Sequence, residues 1–109
     1  MSVTLTDYRS IIRDNASLFH LSKDPSYRKV YLDNIINHSE HLVPWEELST
    51  IEKQLKNSAT IIRLIQEYIC ECSDEHGIFK GPGIIKITLE REAFEQREFI
   101  VDLIKTYYS

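Results

Sequence analysis

Cys70, Cys72 and His76 form the densest grouping of chemically capable side chains in this chain, a C-x-C-x3-H run. On a helix, Cys72 and His76 at i, i+4 share one face, as zinc ligands can. Cys70 is two positions from Cys72 and so points roughly 200° away around the axis, which disfavours both a shared metal and an internal disulfide. With no second Cys/His cluster at metal-site spacing, a small thiol on a helix seam and a helix-ending histidine account for the run. His38 and His41 also share a helical face, but no H-E-x-x-H pattern accompanies them. Imidazoles suit the negative end of a helix without any metal.

Nucleophilic catalysis has little support. No serine stands in a G-x-S-x-G elbow. The thiols of Cys70 and Cys72 are flanked by Glu67, Glu71, Asp74 and Glu75 near a helix C-terminus, and both influences disfavour a thiolate. Gly81-Pro82-Gly83 matches neither phosphate-binding pattern, and Pro82 lacks a backbone donor. The expectation is therefore a protein that is not an enzyme and needs no cofactor or metal.

What must position these side chains is a set of helices. Leu48, Ile51, Leu55, Ser58, Ile62, Ile65, Ile69 and Cys72 keep a three-then-four spacing with no Pro or Gly among them, which predicts one long helix with a single buried seam. Its start is open between Pro44-Trp45-Glu46-Glu47 as a first turn and Ser49-Thr50-Ile51-Glu52 as a capping box. Its end is expected at His76-Gly77, where glycine can take the left-handed conformation. Ahead of it, a helix is expected from about residue 7 to 21, capped by Thr6, with Tyr8, Ile11, Ile12, Ala16 and Phe19 on one stripe. Asp24-Pro25 starts a second helix that turns Tyr27, Val30, Tyr31, Ile35, His38 and Leu42 inward and stops before Pro44.

After the long helix, Gly77, Gly81, Pro82 and Gly83 interrupt the pattern, and the branched residues Ile84, Ile85 and Ile87 predict a short strand at 84–88 within a small hairpin at 78–88. A last helix then carries Leu89, Ala93, Phe94, Ile100, Val101 and Ile104, with Thr88 as its cap. The resulting fold class is all-α or nearly so: a single domain over 1–109, built as a bundle of four to five helices around one long central helix.

The chain has 109 residues, a 42% hydrophobic share and a 28% charged share, the composition of an ordinary folded domain. No run of about 18 apolar residues is present, and the segment Met1–Asp7 lacks the basic head and apolar block of a secretory signal, so a cytoplasmic location without membrane contact is expected. Charge is distributed unevenly. Residues 1–43 carry five basic and five acidic side chains and residues 77–109 again five and five, whereas residues 44–76 carry three and seven. The whole net charge of −4 thus resides in the long helix and its flanks. Glu67, Glu71, Asp74 and Glu75 lie at the helix end where carboxylates oppose the dipole, which suggests a docking ridge, although a solvated acidic face is the simpler explanation.

Three function classes follow. The first is a small acidic protein-binding module, an inhibitor, immunity protein or antitoxin that masks a basic partner such as a nuclease toxin, with Glu67, Glu71, Asp74 and Glu75 as its contact residues. A second is a winged-helix-like DNA-binding regulator, which the scattered bases Lys53, Lys56, Arg63, Lys80 and Lys86 serve poorly, so nucleic acid is disfavoured. The third is a helical subunit of a homo-oligomer, its long seam paired with another helix.

Overall fold

The computed structural model describes residues 3–108. Helix α1 (Leu5–Leu21), helix α2 (Pro25–Glu40), one 3-10 turn (Trp45–Glu47), helix α3 (Thr50–Glu71) and helix α4 (Gly83–Tyr107) follow one another. The chain is all-α, and among the described residues strand pairing is confined to one isolated bridge, Ser73 with Phe79.

Local chemistry sets the helix starts. Thr4, not Thr6, caps α1, two residues earlier than expected, and forms a reciprocal capping box with Asp7. Asp24 accepts from the Ser26 N–H while Pro25 occupies the first turn of α2. Ser49 and Glu52 close the capping box of α3, so Pro44–Leu48 forms a separate turn and the second of the two possible starts is the one adopted.

Each helix packs on the next in sequence, α1 on α2, α2 on α3 and α3 on α4. The seam of α3 reads as expected over Leu55, Ser58, Ile62 and Ile65, all buried, with Ala59 beside them. Leu55, Ala59 and Ile62 share one core with Ile12, Ala16 and Phe19 of α1, Ile35 and Ile36 of α2, and Ile100, Leu103 and Ile104 of α4. Leu48 is buried too, but from the linking turn rather than from the helix.

Several expectations need correction. Helix α3 stops at Glu71, not at His76, because Asp74 folds the following residues into a turn: its carboxylate accepts from the N–H groups of His76 and Ile78, both at 2.9 Å. Gly77 does adopt a left-handed φ of 79°, within that turn and not as the cap of a helix. The strand at 84–88 and its hairpin do not form; these residues are the first turns of α4, started by Pro82. Leu89 and Ala93 continue the face that buries Ile100 and Ile104, so the helical period of α4 extends through the isoleucines despite their β-propensity. Thr88 is interior to the helix and donates its hydroxyl to the Ile84 carbonyl instead of capping.

In α2 the buried face is Leu32, Ile35, Ile36 and Ser39, whereas Tyr27 and Val30 are exposed. Arg28 explains the rotation. Its guanidinium lies 3.9 Å above the Phe19 ring and donates to the carbonyls of Phe19 and Ser22, which fixes the opposite edge of α2 against α1. Finally, no single long helix is central: α3, with 22 residues, pairs with an α4 of 25 as a helical hairpin.

Candidate functional site

The α3–α4 hairpin extends beyond the cover that α2 provides. Arg63 of α3 pairs with Glu40 of α2, and Arg97 of α4 donates to Asp33 of α2 at 2.8 Å, so α2 lies across the trough between the two long helices at that level. Gln66 and Arg97 line both the junction with α2 and the space beyond it. Toward the hairpin tip the trough is unfilled and forms an open groove of about 660 Å3. Its floor and walls are Ile65, Ile69, Cys70, Ala93 and Phe94, and carboxylates of Asp74, Glu75 and Glu90 border it.

Sequence and packing explain the groove. Ala93 gives α4 a small side chain where it faces α3, which leaves space between the helices. Phe94, 62% exposed, stands at the edge as an apolar lip. At the tip, Lys80 donates its backbone N–H to the Cys72 carbonyl at 2.7 Å, and the Asp74 backbone N–H donates to the Ile78 carbonyl at 2.9 Å, so the turn is held and the Asp74 carboxylate with it. Gly81 lets the Phe79 ring lie close to the backbone: a Cβ at this position would be 2.8 Å from the ring, which would have to shift.

The acidic residues read from the sequence divide into two sets. Asp74 and Glu75 reach the groove. Glu67 and Glu71 are exposed on α3 outside its lining, and Glu67 is paired with Arg63 at 2.8 Å. Asp74 is paired with Lys80 at 3.1 Å, and its carboxyl is held below the ordinary range chiefly by the Ile78 N–H, then by Lys80. Glu90 escaped sequence reading, since residues 77–109 balance five acids against five bases and show no local excess. Its position one turn before the small Ala93, on a helix pairing with α3, is the signal that points to it.

The other candidate chemistry does not assemble. Cys72 and His76 are separated by the end of α3, and His76 is exposed. Among the described residues no three His, Cys, Asp or Glu side chains converge as metal ligands do. His38 and His41 instead flank the Tyr8 ring at centroid distances of 6.1 and 6.0 Å, and His38 Nδ1 lies 2.7 Å from the Asn34 carbonyl. No described helix is long and apolar enough to cross a membrane. Comparison with protein-family models, with curated proteins and with solved structures finds no match for this chain.

Proposed function

We propose that the protein is a small binding module whose α3–α4 groove takes an amphipathic helical segment of a basic protein. The observation that carries this reading is an apolar trough bordered by carboxylates, left open where α2 ends. Apolar grooves between helices recognise partner helices through side chains at i, i+3/i+4 and i+7, and charges at the rim set the sign of the partner and its rate of encounter. Lysine or arginine flanking an apolar stripe meets Glu75 and Glu90 directly, with Asp74 and the outer Glu67 and Glu71 adding to the negative field. Masking a cationic surface, as an inhibitor, immunity protein or antitoxin does to a nuclease toxin, is a use suited to such a module. The DNA-binding alternative, with Gly77–Leu89 as its wing, is less favoured, since that segment is helical from Gly83 onward.

A synthetic helical peptide with a leucine stripe and lysine flanks, compared with its glutamate-flanked counterpart, tests the reading by calorimetry. Binding of the lysine peptide alone is expected. Exchange of Glu75 and Glu90 for lysine should weaken it about 5- to 30-fold at low salt, as two rim charges worth about 0.5–1 kcal/mol each imply. Cys70→Trp, which plugs the groove from an exposed position, should abolish binding without unfolding the protein. Equal affinity for both peptides, or binding indifferent to Cys70→Trp, would refute the proposal.

A further inference from the structure

The outward face of α4 carries a second feature, which shares only Phe94 with the groove. Ile84, Ile87, Arg91, Phe94, Glu98 and Val101 recur at alternating spacings of three and four, one continuous stripe down the helix. Ile84 is 70% exposed and Ile87 55%, and both Arg91 and Glu98 are exposed. Neither Arg91 nor Glu98 has an ion-pair partner among the described residues, although five acids and several bases share this helix. The stripe meets the core at Val101, which packs against it, and runs about 25 Å from Ile84 at 1.5 Å per residue.

This pattern is self-complementary under a two-fold axis. If two copies of α4 cross antiparallel with the axis between Phe94 and Glu95, positions equidistant from the axis face each other. Arg91 of each copy then faces Glu98 of the other, and Ile87 lies beside the second copy's Val101. The two Phe94 rings flank the axis, and Ile84 covers the stem of Lys105. A parallel pairing sets Arg91 against Arg91 and Glu98 against Glu98, which like-charge repulsion opposes. We infer that this stripe is covered by a second copy of the chain, forming an isologous antiparallel dimer through α4. It differs from the oligomer expected from the α3 seam, whose Leu48, Leu55 and Ile62 lie within the molecule's own core.

Sedimentation and light scattering read the outcome without any partner protein. At about 0.1 mM, well above a micromolar dissociation constant, a particle of twice the chain mass of 12.8 kDa is expected. Arg91→Glu and Glu98→Arg should each weaken dimerisation at least about tenfold, since like charges then face each other twice across the axis. The double reversal R91E/E98R should restore it. Both positions are exposed, so helicity by circular dichroism should be unchanged in all three variants. A wild-type monomer at that concentration, or a dimer indifferent to the single reversals, or a double reversal that stays monomeric, would overturn the inference. Arg91 and Glu98 do not line the groove, so failure here leaves peptide binding to be judged by its own test.

Discussion

Truncating Ile62 to alanine should lower the unfolding free energy by about 2–5 kcal/mol, and Leu55→Ala should do the same, because each leaves a cavity where a branched side chain now fills the core. Both residues are at most 1% exposed and belong to the cluster in which all four helices meet. Neighbouring elements cannot collapse onto the space without dragging α2 or α4 along α3. Leu64, on the same helix but half exposed, is the internal control: its alanine variant should stay within about 0.5–1 kcal/mol of wild type. Urea unfolding followed by circular dichroism separates the two cases. Equal stabilities for the Ile62 and Leu64 variants would mean that the buried face of α3 is misassigned.

Glu52→Ala has the second largest expected effect, a loss of about 2–4 kcal/mol. The carboxylate is 7% exposed, accepts from Arg9 at 2.6 and 2.9 Å, and also completes the α3 capping box by accepting from the Ser49 N–H at 2.8 Å. Arg9 donates as well to the Glu47 carbonyl at 2.9 Å, so one ion pair ties α1 to the linking turn and to the start of α3. Surface pairs contribute about 0–1 kcal/mol and fully buried ones cost about 3–5 kcal/mol to break; the half-exposed guanidinium places this pair between them. Loss of the cap adds about 1 kcal/mol.

The same group imposes a pH dependence. Hydrogen bonding to Arg9, opposed by burial and aided by Ser49, lowers the Glu52 carboxyl below its ordinary value of 4.5. A depressed carboxyl stabilises the fold fully above its unfolded-state value, and that contribution disappears as pH falls through the lower folded-state value. Wild-type stability should therefore fall more steeply than that of Glu52→Gln on acidification below about pH 4.5. Parallel curves of unfolding free energy against pH would contradict the assignment.

Much of the architecture is legible in the chain because it depends on short-range chemistry. Asp24-Pro25 and Ser49-Glu52 satisfy free backbone donors within one turn, and the α3 seam is long enough for its period to leave a single reading. Elements decided by tertiary pairing are less legible. Ile84, Ile85 and Ile87 carry a β-propensity yet form the first turns of α4, whose later turns bury Ile100, Leu103 and Ile104, and the rotation of α2 depends on Arg28 seating on Phe19, a contact between helices. The site was half legible for the same reason. Asp74 and Glu75 announce themselves as acids at the wrong end of a helix, whereas Glu90, Ala93 and Phe94 gain meaning only from the pairing of α4 with α3 beyond the reach of α2.

Cys70 offers the most direct test of the groove, since its thiol is exposed and belongs to the groove wall. In a Cys72→Ser background, the rate of Cys70 alkylation can be followed by mass spectrometry with and without the lysine-flanked leucine peptide. Occupancy of the groove should slow alkylation at least about tenfold at saturation, the protected fraction tracking the calorimetric binding curve. A peptide that binds while Cys70 reacts at its free rate would place the interaction elsewhere on the protein and contradict the α3–α4 groove as the binding site.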